Sequence, residues 1–275
     1  MKIKPKKSLG QNFLSDKNII KKIIQIEKIT NESSILEIGP GTGNLTEFIL
    51  QKNPRKITVI EKDYNLSKLL KEKFNDKINI LNEDFLNLKF KNITEDKLIV
   101  YGNLPYNIST EILVRFVSDN EKYKYFKKLI FMFQKEVADR IIAKTDSKNY
   151  GRLSIISNWR LNIKKEFDVN PNSFFPIPKI NSTLLSFTPK KNYINIKNPK
   201  NLEKITKIFF NQRRKMIKNP LKQIFKNPNL IVKKLNLNTD LRPQNLTPLK
   251  YIEMTKAFED QLINWSICFF TAVIS

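Results

Sequence analysis

The order of apolar runs along the chain limits its fold more than any other feature. From Ile35 onward, short runs rich in β-branched residues alternate with longer amphipathic segments. This alternation is typical of a parallel sheet whose strands are joined by crossover helices. Two later runs, separated by a Pro-rich loop, add a hairpin-like pair, so we predict an α/β fold with a seven-stranded sheet. The predicted strands are Ile35–Ile38, Ile57–Ile60, Ile78–Leu81, Leu98–Tyr101, Leu129–Phe133, Ile163–Val169 and Thr183–Phe187.

The segment before the first strand has a different character. Lys2–Leu14 is basic, and we predict that it forms an extended arm. Ser15 or Asp16 is predicted to cap the first helix, because both residue types accept hydrogen bonds from free backbone N–H groups at a helix start. The apolar face of that helix would carry Ile19, Ile20, Ile23 and Ile24.

The strand pattern stops after Pro189. Residues 201–262 predict several helices, with Asn219 and Thr247 as N-caps that each precede a proline. The predicted domains are residues 1–188, an α/β domain that includes the basic arm; residues 189–262, a smaller all-helical domain; and residues 263–275, an apolar tail of unknown role.

Positive charge is concentrated in one part of the chain. Fifty Lys and Arg residues against 26 Asp and Glu residues give a formal net charge of +24. Residues 190–234 alone contain 14 Lys and Arg residues and a single acid, Glu203. A biased coding sequence could raise the lysine content everywhere, but it would not cluster the lysines. We therefore predict a surface for a polyanion.

We expect one helix of this basic segment to carry the contacts. Its polar face would hold residues spaced by three and four, namely Lys204, Lys207, Asn211, Arg214 or Lys215, and Lys218. The opposite, buried stripe would be Leu202, Ile205, Phe209 and Met216. Like charges at these spacings repel one another, which indicates that a polyanion is the missing partner. The predicted RNA-binding residues are Lys207, Arg213, Arg214, Lys215 and Lys218.

Cysteine and histidine usage excludes several kinds of chemistry. The chain has one cysteine, Cys268, and no histidine. An internal disulfide framework, a cysteine-cluster metal site, a Ser-His-Asp triad and a His-ligated zinc are therefore excluded, and we predict no metal. No apolar run reaches the roughly 18–20 residues of a membrane span, and the basic start lacks the apolar core of a secretory signal. We expect a cytoplasmic protein.

A glycine-rich turn after the first strand predicts a ligand site. Three of the six glycines lie between Glu37 and Gly43. Glycine lets the backbone turn sharply and approach a ligand, and the start of the next helix offers unpaired N–H groups. Glu61 follows the second strand, where a carboxylate accepts hydrogen bonds from ribose hydroxyls, and Asp84 ends the third, where it could accept one from an adenine amino group. The predicted ligand is a nucleoside cofactor, with NAD as an open alternative.

The turn Asn103-Leu-Pro-Tyr106 follows the fourth strand and resembles the signature of methyltransferases that act on exocyclic amino groups. Adenine N6 is a poor nucleophile because its lone pair is delocalised into the ring. If the Asn103 side-chain oxygen and the Leu104 carbonyl accept its N–H bonds, the lone pair becomes available to a methyl donor. Pro105 would fix the turn, and Tyr106 would stack on an extruded base.

A second aromatic element precedes the last predicted strand, in the run Phe174-Phe-Pro-Ile-Pro178. Phe174 is predicted to stack on the opposite face of the base. It therefore completes the predicted catalytic set with Asn103, Leu104, Pro105 and Tyr106. Phe175 is predicted to pack in the core.

Several separate motifs together match one family. The chain resembles the ribosomal RNA adenine dimethyltransferases, in particular their bacterial small-subunit branch. Two features depart from the family pattern: Pro220 stands where a small polar residue is more frequent, and the tail beyond about residue 262 has no counterpart. The matching runs are Lys7–Leu14, Glu37–Gly43, Glu61, Asp84, Gly102–Tyr106, Tyr150–Leu153, Phe174–Ser182, Asn211–Lys215 and Arg242–Leu246.

The resemblance implies a class I, Rossmann-like methyltransferase sheet and S-adenosylmethionine as the cofactor. The implied substrate is a pair of adjacent adenines in a hairpin loop near the 3′ end of small-subunit rRNA. The expected partner is this rRNA within an assembling ribosomal subunit, bound by a monomer and without a membrane. The residues implied to contact the cofactor are Asn12, Leu14, Gly39, Glu61, Asp84 and Asn103, to which the glycine-rich turn adds Gly41.

Three other functions stay open on the sequence. A related enzyme methylates large-subunit rRNA and confers macrolide resistance, and it would share the first domain. The runs Gln212–Lys215 and Arg242–Leu246 favour the small-subunit branch instead. A non-enzymatic ribosome-assembly or transcription factor could use the same fold, but the intact Asn103–Tyr106 turn argues against a loss of catalysis. A nicotinamide oxidoreductase is the third.

Overall fold

The computed structural model contains a seven-stranded sheet and a separate two-stranded pair, Phe13–Leu14 with Phe174–Phe175. It describes the backbone of residues 5–6, 10–88, 97–119 and 125–274, and it describes side chains as far as residue 261. The strands are β1 (Phe13–Leu14), β2 (Ser34–Ile38), β3 (Lys56–Ile60), β4 (Asn79–Leu81), β5 (Leu98–Gly102), β6 (Phe126–Gln134), β7 (Leu161–Val169), β8 (Phe174–Phe175) and β9 (Ser182–Pro189). The helices are α1 (Lys17–Ile24), α2 (Asn44–Leu50), α3 (Tyr64–Phe74), α4 (Ser109–Ser118), α5 (Lys135–Ile141), α6 (Arg152–Arg160), α7 (Pro199–Asn211), α8 (Lys218–Ile224), α9 (Pro228–Leu235) and α10 (Pro248–Ile274).

The sheet confirms the predicted α/β fold and all seven predicted strands. Its order is β4-β3-β2-β5-β6-β9-β7, in which the first five strands are parallel and β9 is antiparallel to both β6 and β7. Every residue of β2 and β5 is buried. Strands covered on both faces have continuous apolar runs rather than alternating ones, which explains why these segments were recognisable in the sequence.

The first helix forms where it was predicted. The Asp16 side chain caps α1 by accepting hydrogen bonds from Asn18 N (2.9 Å) and Ile19 N (3.2 Å). Three of the predicted apolar residues, Ile20, Ile23 and Ile24, are buried, and Ile19 is partly buried against the same core.

The chain divides into two compact units, and one boundary differs from the predicted domains. Arg140–Arg160 belongs with Lys190–Ser275 in the second unit, rather than with the sheet. Hydrogen bonds within that unit explain this: Trp159 Nε1 donates to Ile194 O (2.8 Å), and the Tyr150 hydroxyl donates to Leu246 O (2.8 Å). In the sequence, a helix that lies between two strands resembles the crossover helix of a parallel sheet. The hydrogen bonds to Ile194 and Leu246, which are far away in the sequence, show that α6 belongs to the second unit instead.

Aromatic packing and a buried acid hold the helices of the second unit. The rings of Phe209 and Tyr251 pack edge to face, 5.4 Å apart. Glu259 on α10 is buried and accepts hydrogen bonds from the backbone N–H groups of Lys197 and Asn198, both at 2.8 Å. It therefore satisfies the backbone N–H groups of the two residues that precede α7.

The predicted long basic helix is wrong, because α7 ends at Asn211 and turns follow as far as Ile217. Leu202, Ile205 and Phe209 are buried as predicted, but Met216 is exposed. Ile217 is buried in its place, and its N–H group donates to Leu241 O (2.8 Å). The turns move the buried position from Met216 to Ile217. A prediction that assumed one continuous helix therefore placed the wrong residue in the core.

One of the two predicted proline caps is confirmed. α10 begins at Pro248, and Thr247 Oγ1 accepts a hydrogen bond from Lys250 N (3.4 Å). The cap predicted at Asn219 is wrong, because α8 already begins at Lys218. Pro220 then lies in the first turn, where a missing N–H group leaves no intrahelical hydrogen bond unmade.

The backbone of α10 continues through the residues of the predicted tail, as far as Ile274. Among the helices of the described residues, none combines the length and the apolar composition needed to cross a bilayer.

Candidate active site

The loops at the carboxyl ends of β2, β3, β4 and β5 line one pocket together with the N-terminal arm. This edge is where open α/β sheets bind their ligands. The structure therefore brings together residues that are far apart in the sequence. The predicted residues that line the pocket are Asn12, Leu14, Gly39, Gly41, Glu61, Asp84, Asn103, Leu104, Pro105 and Tyr106.

The glycine-rich turn provides one wall of this pocket. Gly39, Gly41 and Gly43 have φ angles of 67°, 58° and 75°, in the region where an L side chain is strained. A Cβ atom on Gly41 would lie 2.6 Å from the Phe13 ring of the arm. Glycine is thus required at position 41 by the backbone conformation and by the close packing of the arm.

Glu61 lies at the end of β3, with both carboxylate oxygens held by backbone donors. Oε2 accepts a hydrogen bond from Gly41 N (3.2 Å), and Oε1 accepts one from Asp63 N (2.9 Å). The side chain is almost buried, and burial raises the pKa of Glu61 although both N–H groups oppose the shift. A carboxylate fixed in this way is an oriented acceptor for hydroxyl groups.

Asp84 follows β4 in a more open environment. Its Oδ1 accepts a hydrogen bond from Leu86 N (2.9 Å), and its Oδ2 lies 2.8 Å from Lys62 Nζ. Burial alone would raise the pKa of Asp84, but the Lys62 ammonium and the Leu86 N–H group outweigh it, so the pKa is lowered. Asp84 is therefore an ionised acceptor at the mouth of the pocket.

Glu37 also lines the pocket, although no role was predicted for this residue. It is buried in β2, and its Oε2 accepts a hydrogen bond from Thr46 Oγ1 (2.6 Å). Burial raises the pKa of Glu37 to about 7, with the negative charge of Glu61 adding to the shift and the Thr46 hydroxyl opposing it. The signal was present in the sequence, because an acid inside an otherwise apolar strand needs a specific reason to be there.

Asn103 connects the end of β5 to the N-terminal arm. Its Nδ2 donates a hydrogen bond to Asn12 O (2.8 Å). This bond fixes the amide so that Oδ1 is available as an acceptor, and no donor from the described residues reaches it. Leu104 is buried directly behind, which holds the turn against the sheet.

Tyr106 is held at its hydroxyl end. Its OH and the Ser182 Oγ are 2.7 Å apart, and its carbonyl accepts a hydrogen bond from Ser109 Oγ (3.2 Å). Burial raises the pKa of the Tyr106 hydroxyl, which therefore stays protonated at neutral pH. The ring lines the pocket with its position fixed at both ends.

The two phenylalanines of the second aromatic element have the opposite burial to that predicted. Phe174 is 2% exposed and packs in the core beneath the sheet, whereas Phe175 is 61% exposed. The short antiparallel pair of β1 and β8 explains the reversal, because Leu14 lies opposite Phe174 and Phe13 opposite Phe175. Alternate residues of a strand face opposite sides, so Phe174 joins Leu14 on the core face. A stacking role for Phe174 does not agree with this position.

The predicted RNA-binding residues lie in the second unit. Lys207, Arg214, Lys215 and Lys218 are exposed. Arg213 is different, because its guanidinium donates to Gln244 Oε1 (3.2 Å) and to Lys148 O (2.6 Å). Arg213 therefore holds the turn after α7 and is less available to a phosphate than the other four.

Comparisons with known proteins show the family of this chain. A family model described as ribosomal RNA adenine dimethylase matches residues 2–260. A Pelagibacter ubique protein called ribosomal RNA small subunit methyltransferase A is 54% identical over 260 residues, which cover 94% of this chain and 99% of that protein. A protein of the same name from Wolbachia pipientis of Culex pipiens is 41% identical over 248 residues, covering 89% and 93% of the two chains.

Solved structures of other methyltransferases have a similar fold. A dimethyladenosine transferase from Plasmodium falciparum superposes with a TM-score of 0.76 at 25% identity, over 90% of this chain and 98% of that one. The 23S rRNA methyltransferase ErmE superposes with a TM-score of 0.65 at 20% identity, over 90% and 99% of the chains, and supports the fold alone. The chain belongs to the ribosomal RNA adenine dimethylase family, and it is a methyltransferase.

Proposed function

We propose that this enzyme transfers methyl groups from S-adenosylmethionine to N6 of two adjacent adenines in the 3′-terminal hairpin loop of small-subunit rRNA. The products are N6,N6-dimethyladenosines, made while the ribosomal subunit assembles. One observation carries the proposal: the Asn103-Leu-Pro-Tyr106 turn lines the same pocket as the acceptors Glu61 and Asp84. The name shared by the two bacterial relatives supports the small-subunit substrate.

The residues of the pocket fit S-adenosylmethionine. Glu61 offers a fixed, nearly buried carboxylate for two ribose hydroxyls, and Asp84 offers an ionised one for the adenine amino group. Apolar side chains, among them Ile60 and Phe85, line the same pocket and suit the faces of the adenine ring. Gly39 and Gly41 would approach the cofactor through their backbone, and Asn12 and Leu14 would hold it from the arm. When bound, the cofactor supplies an electrophilic methyl group on a sulfonium.

The chain's own contribution to catalysis is to orient the target amino group. Asn103 Oδ1 and the Leu104 carbonyl accept the two N–H bonds of adenine N6, so the nitrogen lone pair turns out of the ring plane. The bond from Asn103 Nδ2 to the arm keeps Oδ1 in place before the substrate arrives. Because the amide needs no reorientation, positioning of this kind can supply a large part of the rate enhancement without a histidine base.

Tyr106 is the stacking surface for the extruded adenine. Its hydroxyl bond to Ser182 and the fixed turn at Pro105 preset the ring, so little entropy is lost when a base stacks on it. Base stacking on an aromatic ring is worth about 1–3 kcal/mol. Since Phe174 is buried in the core, Tyr106 is the aromatic residue of the predicted pair that is available to the base.

The exposed cations of the second unit are the proposed rRNA contacts. Lys207, Arg214, Lys215 and Lys218 lie in the part of the chain where acids are almost absent. In the part of the unit that the structure describes, none of these four side chains forms an ion pair. A phosphate backbone would neutralise them, and this attraction would be independent of base sequence.

The test is methylation of defined RNA by the purified protein. Small-subunit particles and large-subunit rRNA, both from a strain that lacks these modifications, are incubated with labelled S-adenosylmethionine. Primer extension across the 3′ hairpin of the small-subunit rRNA then locates the product. We expect stops at two adjacent adenines of that hairpin. A product only in large-subunit rRNA would favour the macrolide-resistance type of activity, and binding to particles without methyl transfer would favour an assembly factor.

A further inference from the structure

The carboxylate of Asp63 joins the N-terminal arm to the body of the first unit. Its Oδ2 lies 2.9 Å from Lys6 Nζ and accepts a hydrogen bond from Gln11 Nε2 (3.2 Å). The Asp63 side chain is 3% exposed and the Lys6 side chain 47% exposed. Gln11 also accepts a hydrogen bond from the Lys6 backbone N–H group (2.8 Å), so the two arm residues reach Asp63 as one unit.

The same residue is tied to the floor of the cofactor pocket. Asp63 N donates to Glu61 Oε1 (2.9 Å), and Glu61 Oε2 accepts from Gly41 N (3.2 Å). Asp63 Oδ1 accepts from Asn65 N (3.0 Å), which caps α3. One short segment therefore links the ribose acceptor, the glycine-rich turn, a helix start and the arm.

The arm is fastened on the other side of the pocket as well. Its Asn12 and Leu14 carbonyls accept hydrogen bonds from Asn103 Nδ2 and Asn44 Nδ2, both at 2.8 Å. Residues 10–14 line the pocket between these bonds and Asp63. With one end free, this stretch would gain conformational entropy, and the wall that it forms would be lost for part of the time.

We propose that Asp63 is a positioning residue that, with Lys6 and Gln11, forms a latch that holds the arm closed over the cofactor pocket. This inference rests on the proposed cofactor. It assigns the latch to cofactor retention rather than to the methyl-transfer step, because none of its three residues belongs to the turn that orients the target nitrogen. Because the Lys6 ammonium is half-exposed, salt weakens the latch in part, while the burial of Asp63 limits the screening.

The test compares Lys6→Met with Lys6→Arg, which keeps the cation, and with Lys68→Met, which removes an exposed lysine from α3 outside the latch. Lys6→Met spares the Asp63 cap of α3, so the fold is preserved. Calorimetry with S-adenosylhomocysteine measures affinity. We expect Lys6→Met to bind about three- to tenfold more weakly, and both Lys6→Arg and Lys68→Met to bind like the wild type.

Two further readouts distinguish a latch from a general loss of stability. Hydrogen exchange at the backbone N–H groups of residues 10–14 should be faster in Lys6→Met than in Lys68→Met, and S-adenosylhomocysteine should slow it in both. The KM for S-adenosylmethionine should rise in Lys6→Met with kcat unchanged. Raising the salt should weaken binding to the wild type and bring it towards that of Lys6→Met.

The outcomes separate this inference from the proposed function. Wild-type protein that does not bind S-adenosylhomocysteine would contradict the proposed cofactor itself. Binding by the wild type, together with an equal affinity and equal hydrogen exchange in Lys6→Met, would overturn the latch alone. A lower kcat at an unchanged KM would also overturn it, since that would assign Lys6 to the chemical step.

Discussion

The cofactor side of the pocket and the elements proposed to meet RNA are built in different ways. Glu61, Gly41 and Asp63 are joined by backbone hydrogen bonds within a short stretch of sequence, so the acceptors are fixed before any ligand arrives. The proposed RNA contacts are exposed side chains, and their positions depend on packing beneath them, such as the burial of Ile217 in place of Met216. The reversal of Phe174 and Phe175 shows the same dependence on packing in the first unit. Local hydrogen bonding sets the first kind of site, and tertiary packing sets the second.

The largest expected effect tests this contrast at the aromatic pair. Phe174→Ala should lower the free energy of unfolding by about 3–5 kcal/mol, because it removes a fully buried ring and leaves a cavity. Phe175→Ala should change stability by less than about 0.5 kcal/mol, since its ring is exposed. Urea denaturation followed by circular dichroism measures both. Similar losses in the two variants would place both rings in the core.

Asn103→Ala should reduce the single-turnover rate of methyl transfer by about 100-fold or more, because it removes a preorganised acceptor for the reacting amino group. RNA affinity, measured by filter binding, should stay within about twofold of wild type, while the lost bond to Asn12 should weaken cofactor binding slightly. A near-normal rate at saturating cofactor would remove Asn103 from the chemistry.

Glu61→Ala should weaken S-adenosylhomocysteine binding by about 1–3 kcal/mol, the usual loss for one hydrogen-bond partner that carries a charge. Asp84→Ala should fall at the lower end of that range, because its carboxylate is partly solvated and shared with Lys62. Calorimetry measures both affinities. If both variants bind within twofold of wild type, neither acid holds the cofactor.

The triple variant Lys207→Ala/Arg214→Ala/Lys218→Ala should bind rRNA more weakly and with a flatter dependence on salt. Each lost phosphate contact should reduce the log–log slope by roughly 0.7–0.9. Cofactor affinity should not change. Arg213→Ala is the contrasting variant, and it should lower stability because its guanidinium holds backbone carbonyls. An unchanged slope in the triple variant would mean that RNA docks elsewhere.

The last effect concerns pH. Glu37 has its pKa raised to about 7 in the folded protein, so the folded state binds the proton more tightly than the unfolded state. The contribution of Glu37 to stability without cofactor should therefore be fully present below about pH 4.5 and be lost as the pH rises to about 7, by roughly 1–3 kcal/mol. Glu37→Gln should remove this loss. A difference in stability between the wild type and Glu37→Gln that stays constant over the same interval would contradict the raised pKa.

The sequence predicted the parts of the molecule in which neighbouring residues decide the structure. All seven strands, the cap at Asp16 and the glycine-rich turn follow from local patterns, and the pocket residues follow from where strands end. The burial of Phe174 depends on a pairing partner at Leu14, and the place of α6 depends on Ile194 and Leu246. Contacts over such distances leave no periodic signal in the chain.

The same principle explains the broken basic helix. Charge spacing alone predicted one continuous face from Lys204 to Lys218. The turns that interrupt it are held by Arg213, whose partners lie more than thirty residues away on one side and more than sixty on the other. A pattern of like charges cannot reveal that one member is used to anchor the backbone.

The pairing of β1 with β8 has a consequence for the order in which the protein is made. Leu14 is synthesised about 160 residues before its partner Phe174. A contact between such distant residues forms only after a large loop has closed, and such closures are late events in folding. Residues 13–14 are therefore synthesised long before the strand on which they dock. A nascent chain that ends before residue 174 would carry the glycine-rich turn and its acids without the wall that the arm supplies.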